Sequence, residues 1–110
     1  VRIPNADVAV VDIRKLREYC LNSTHGTGRH KARRFVAALG ITSDDAEALR
    51  DILLRAVREH NAALGLEDKY GQRYIVDFLM EWRDRRAMVR STWIIEPGVP
   101  FPRLTSCYPL

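Results

Sequence analysis

The stretch "QRYIVDFLMEWRDRRAMVRSTWIIEP", Gln72–Pro97, decides the fold class. Two runs rich in aromatic and β-branched residues, Gln72–Trp82 and Ala87–Pro97, flank a short polar turn at Asp84–Arg86. Runs of this kind joined by a tight turn predict an antiparallel pair of strands. Alternation then sorts the side chains. Tyr74, Val76, Phe78 and Met80 share one face of the first strand, and Arg73, Ile75, Asp77 and Leu79 the other. In the second strand Val89, Ser91, Trp93 and Ile95 oppose Met88, Arg90, Thr92 and Ile94. A proline-bounded loop, "GVPFP", leads to a third strand, "RLTSCYPL", in which Arg103, Thr105 and Cys107 alternate with Leu104, Ser106 and Tyr108.

Upstream the period changes. "IPNADVAVVD" offers a short strand at Val8–Val11, and Asp12 then reads as the N-cap of a helix through "IRKLREYCL", with Asn22 as its stop. "NSTHGTG" has the composition of a loop. A second helix is expected over Arg29–Leu39, closed by Gly40, with Ala32, Phe35, Val36 and Leu39 as its apolar stripe. Thr42 or Ser43 caps a third, whose stripe is Leu49, Ile52, Leu53, Ala56 and Val57 and which fades near His60. Helices followed by consecutive strands form the α+β pattern: N-terminal helices packed on one face of an antiparallel meander of three or four strands, in one domain over residues 1–110.

Composition narrows the function class. The 110 residues are 46% hydrophobic and 29% charged, as in an ordinary globular domain with its own core. No apolar run is long enough to span a membrane, and no signal-peptide pattern is present. Cys20 and Cys107 lack metal-site spacing and do not make a disulfide framework, so they read as buried, reduced thiols. A cytoplasmic site of action is the simplest reading. The net charge of +4, carried mostly by arginine, favours an anionic partner, RNA above all or an acidic protein.

The chemistry concentrates in "THGTGRHKARRF", Thr24–Phe35, which holds two of the chain's three histidines. It is not a Walker loop, because the glycine spacing and the following Ser/Thr are missing. Nor do His25 and His30, five apart with no cysteine beside them, make a zinc site, and no cofactor is implied. General acid–base chemistry remains. RNA cleavage by its own 2′-hydroxyl needs a base, an acid and charge stabilisation, and histidine suits proton transfer near neutral pH. His30 and Arg34, four apart, share a helix side, and Lys31 and Arg34 can neutralise a phosphate. If the apolar stripe faces the core, His30 points away from it and Lys31 lies on the flank, whereas His25 in the loop is freer to swing in. The polar sheet face adds Arg73, Arg90, Thr92, Arg103 and Thr105, forked donors and hydroxyls that suit a phosphodiester or, equally, a solvated outer surface.

Several pieces, "IPNADVAVVD", "RKLREYCLN", "H-x-x-GRHKARRF", "YGQRYIVDF", "VRSTWII" and "PRLTSCYPL", resemble a family of small bacterial proteins of unknown function with an IPNA opening, an HKA-x-x-F helix and an RL-T-x-Y ending. The order of helices and sheet is also similar, more loosely, to the bacterial RNase toxins of the barnase, RelE and colicin type. That resemblance implies a metal-independent endoribonuclease neutralised by an antitoxin or immunity protein. The positions matching its residue types are His30, Lys31, Arg34, Thr92, Thr105 and Tyr108, with His25, Arg29, Arg73, Arg90 and Arg103 as substrate contacts. A carboxylate base of the barnase kind is missing, although Asp77 is available. Charge alone equally fits a non-catalytic basic binding module, itself an antitoxin, an immunity partner or an RNA-binding accessory. A homodimer joined at an exposed sheet edge is a third reading, which Pro109 would oppose by blocking edge pairing.

Overall fold

The computed structural model describes all residues, 1–110. Three helical segments pack on one face of a four-stranded antiparallel meander. The helices are α1 (Ile13–Lys15, continued by a π-helical turn over Leu16–Cys20), α2 (Arg29–Leu39) and α3 (Ala46–Glu59). The strands are β1 (Ala63–Asp68), β2 (Gly71–Trp82), β3 (Arg85–Ile95) and β4 (Arg103–Pro109), in the order β1-β2-β3-β4.

The capping signals act where the sequence places them. Asp12 accepts the Arg14 backbone N–H at 2.9 Å and opens α1. Thr42 and Asp45 form a reciprocal capping box ahead of α3. Gly40, at φ 70°, ends α2, where the Gly40 and Ile41 N–H groups return to Val36 and Phe35 carbonyls. The core lies between helices and sheet: Leu16, Phe35, Leu49 and Leu53 meet Val76, Met80, Val89 and Trp93. One polar side chain, Ser91, is fully buried there; its hydroxyl donates to the Val76 carbonyl at 2.8 Å and accepts from the Trp93 indole at 2.9 Å.

Three local expectations are corrected, and one strand is added. Val8–Val11 is not a strand: Ala6–Val8 is a 3₁₀ turn, and only Val10 bridges, to Arg103. Val36 is 47% exposed rather than core, because α2 lies over the β4 side of the sheet and buries a stripe of only Ala32, Phe35 and Leu39. β1 was hidden in the sequence because five of its six residues are exposed, so no buried alternation marks it. The β2–β3 turn is tighter than Asp84–Arg86: Trp82 pairs with Arg85, leaving Arg83, at φ 55°, and Asp84 at the tip.

β2 and β3 pair in an unbroken register that keeps the assigned faces, but Ile94, expected on the polar face, is buried. β4 departs from strict alternation. Thr92 pairs with Ser106 but Trp93 with Leu104, so Thr105 is an extra residue in a bulge. The bulge lets Leu104 and Cys107 both face the core despite their odd spacing. No helix is long and apolar enough to cross a membrane.

Candidate functional site

The glycine-containing loop before α2 is held by a histidine ring. His25 Nδ1 accepts the backbone N–H groups of Thr27 at 3.1 Å and Gly28 at 2.9 Å. An acceptor at Nδ1 places the neutral ring's proton on Nε2. The ring also stands edge-on to Tyr19 in the π-helical turn, centroids 4.8 Å apart at 75°. Gly28 fits because it has no side chain: a Cβ there would lie 2.3 Å from the Tyr19 carbonyl oxygen. The loop is therefore not an open cradle for an anion. It is a clasp that seats the start of α2 against Tyr19. Arg29 belongs to the same clasp, its guanidinium folded back on the Gly26 carbonyl.

From this clasp a file of cations and rings crosses the surface. Lys15 Nζ lies 5.6 Å from the Tyr19 ring centroid, and Lys31 Nζ lies 5.2 Å from the same ring. Lys31 is also 5.7 Å from the Tyr108 ring, and the Arg34 guanidinium 6.0 Å from it. α1 supplies Lys15 and Tyr19, α2 supplies Lys31 and Arg34, and β4 supplies Tyr108. An open groove of about 730 Å³ lies here, lined by His30, Lys31, Arg33, Arg34 and Tyr108, with no carboxylate in its wall. As the helix geometry requires, His30 is exposed and Lys31 sits on the flank, turned towards the sheet edge.

The sheet extends the site from Tyr108. In register across β2, β3 and β4 run Asp77, Arg90 and Tyr108. Arg90 grips Asp77 through two hydrogen bonds of 2.9 Å. Asp77 is held below the ordinary carboxylate range chiefly by the hydrogen bonds from Arg90, and Arg90 above the ordinary arginine range chiefly by Asp77, with the Tyr108 hydroxyl a lesser contributor. Thr92 and Thr105 do not line the groove. Their hydroxyls bond each other at 2.7 Å across the bulge, and Lys15 reaches the Thr105 carbonyl at 3.1 Å. Arg73 and Arg103 lie at the far end of the sheet, in register through Ile94, and are paired with Asp68 and Glu96.

The structure thus brings together His30, Lys31, Arg34 and Tyr108, with Arg90 behind Tyr108. It leaves Arg73 and Arg103 apart, and it commits His25 of the loop and Arg29 at the start of α2 to the clasp. Lys15 and Tyr19 are the residues that the sequence reading overlooked. Their spacing, i and i+4 on one helical side, was the available signal. Beneath the file lie Cys20 and Cys107, both free and buried. The hydrogen bond from Cys107, helped by the charges of Lys31 and Lys15, lowers the Cys20 thiol to about 7 against the effect of burial. The same bond and burial push Cys107 up. No three His, Cys, Asp or Glu side chains gather as a metal site.

The DUF6883 family, described as a domain of unknown function, matches residues 2–110. The chain belongs to DUF6883. The bacterial family of unknown function inferred from its motifs accordingly has a counterpart that spans the whole fold. No curated protein matches significantly. Among solved structures, a chain of the "Contact-dependent growth inhibition toxin - immunity protein complex from Klebsiella pneumoniae 342" is similar to this DUF6883 chain, with a TM-score of 0.71 at 18% identity, covering 96% of each. At that identity the likeness is one of fold.

Proposed function

We propose that this DUF6883 domain is a metal-independent endoribonuclease of bacterial toxin type, acting on RNA in the cytoplasm and neutralised by a protein partner. One observation carries the reading: His30, Lys31 and Arg34 of α2 converge with Tyr108 of β4 on a single groove free of carboxylates. The fold it shares with a member of a toxin–immunity complex supports the toxin setting and a protein partner.

In this reading Lys31 and Arg34 hold the non-bridging oxygens of a phosphodiester. They stabilise the charge that builds there as the 2′-oxygen attacks phosphorus. His30, exposed at the groove mouth, takes the 2′-hydroxyl proton. Tyr108, backed by the Arg90–Asp77 pair, donates its O–H to the departing 5′-oxygen. The P–O5′ bond breaks, leaving a 2′,3′-cyclic phosphate and a 5′-hydroxyl. The hydroxyls of Thr92 and Thr105 brace the bulge beside Tyr108.

The test is incubation of the purified chain with mixed-sequence RNA in chelator, with product ends mapped. Cleavage leaving cyclic phosphates is expected, with losses of about 100-fold or more in His30→Ala and Lys31→Ala. A folded chain that binds RNA without cutting it refutes the catalytic reading. It would favour a basic binding module, a reading that draws on the presence of a single histidine, His30, in the groove.

A further inference from the structure

A second groove lies across Tyr19 from the first. It holds about 420 Å³ and is lined by Asp12, Arg14, Lys15, Glu18, Tyr19 and His25. The two grooves differ in charge. The first has no carboxylate. The second has two. Asp12 is spent on Arg14, whose guanidinium it binds at 3.3 and 3.2 Å. Glu18 makes no ion pair and no side-chain hydrogen bond. An unpaired carboxylate repels phosphate, and being an acceptor only, it takes N–H donors. Lys31 and Tyr19, 5.2 Å apart, form the divide.

We propose that the two grooves form one track for single-stranded RNA, the phosphate entering the Lys31–Arg34 groove and the adjoining base lying against Tyr19 in the Glu18 groove. This rests on the ribonuclease reading above and adds the form of the substrate. Free RNA strands are held where cations follow the backbone and aromatic rings take the bases. Lys15, Tyr19, Lys31, Tyr108 and Arg34 alternate in that manner. Without RNA the lysines rest on the rings. A phosphate draws Lys31 towards its oxygens, and a base takes the freed ring face, a stack stronger than an exposed cation–ring contact. A duplex keeps its bases stacked inside and has none to offer. Glu18 faces the edge of the bound base, and its two oxygens match guanine, whose N1–H and N2 amino group are adjacent donors, better than uracil, whose edge offers one N–H.

The experiment uses 2′-O-methyl RNA hexamers, which cannot be cleaved by this route, and reads affinity by fluorescence anisotropy at low salt. A single strand is expected to bind at least about tenfold more tightly than a blunt duplex of the same length. Tyr19→Ala is expected to lose about fivefold or more, and Tyr19→Phe to retain binding. In a uridine hexamer, one central guanosine is expected to tighten binding about fivefold, a gain that Glu18→Ala removes. Circular dichroism confirms folding of each variant. Equal binding of duplex and single strand, or indifference to Tyr19→Ala, overturns the track, and persisting cleavage would then leave the ribonuclease reading standing. No binding of either RNA and no cleavage overturns both. Polyglutamate competing as well as the single strand overturns the track in favour of an acidic protein surface.

Discussion

Gly28→Ala tests whether the loop before α2 is a clasp. Gly28 has φ −81° and ψ −15°, a backbone that alanine adopts freely, so no conformational strain enters. The obstacle is space. The added Cβ would sit 2.3 Å from the Tyr19 carbonyl oxygen and 3.0 Å from its carbon. Real Cβ atoms essentially never come within 3.0 Å of another heavy atom, so the start of α2 and the π-helical turn must part by about 0.7 Å or more. Both neighbours are backbone and neither can swing aside. Overpacking of this kind costs about 1–3 kcal/mol, offset by about 0.4–1 kcal/mol because alanine restricts the unfolded chain. The net expectation is a destabilisation of about 1–2 kcal/mol, seen as a fall in Tm of about 4–12 °C. Function should suffer more than stability. Lys31 and Arg34 ride on the displaced helix while Tyr108 stays with β4, and a misplacement near 1 Å can cost about 100-fold in rate. Gly26→Ala is the control, because nothing lies within 4 Å of its Cβ position. Urea denaturation and the RNA cleavage assay read the two effects. If Gly28→Ala matches Gly26→Ala in both, the clasp does not position the site.

Three further outcomes follow from other contacts. His25→Ala removes the acceptor of the Thr27 and Gly28 N–H groups and should speed amide exchange there and weaken RNA binding, whereas His25→Asn, whose side-chain oxygen can occupy the Nδ1 position, should restore both; failure of that rescue would point to the ring itself. Ser91→Ala leaves the buried Trp93 indole N–H without its acceptor and should cost about 2–3 kcal/mol in urea denaturation, a loss under about 0.5 kcal/mol being inconsistent with the observed network. For Arg90→Ala the pH dependence carries the sign. Arg90 holds Asp77 below its usual 3.8, so the pair's contribution is present above pH 3.8 and disappears as pH falls through the lower folded value. Both side chains are about one-third exposed, which limits the pair to about 0.5–1 kcal/mol near neutral pH. Wild type and variant should converge in stability at acid pH, once Asp77 is protonated in the folded state as well, and a difference that persists there would assign the effect to packing.

What the sequence made legible follows from which forces act locally. Caps and terminators are short-range, so Asp12, Gly40 and a cap at Thr42 or Ser43 could be placed without any knowledge of the tertiary structure. The alternation of β2 and β3 was equally plain, because the helices cover one face and burial selects every second residue. β1 escaped since it packs against almost nothing, and hydrogen bonding to β2 alone leaves no hydrophobic signature. The bulge at Thr105 escaped because it is a property of two paired strands, yet it decides that Cys107 faces Cys20 while Tyr108 reaches towards Lys31. The site divides along the same line. The basic start of α2 could be read directly, and its helical phase correctly turned His30 outward and Lys31 to the flank. The partners that give Lys31 a place, Tyr19 and Tyr108, come from a π-helical turn and a bulged edge strand, two irregularities that no single-period pattern describes. The roles of the sheet arginines were set by carboxylates across a turn, a loop or a ladder, so Arg90 could be identified as a component but not as Asp77's partner behind Tyr108. The glycines of "THGTG" resembled a phosphate loop because composition reports only that a side chain is absent. The reason for its absence at Gly28 is a carbonyl nine residues earlier, and that contact turns the loop from a binding element into the support on which the binding helix is mounted.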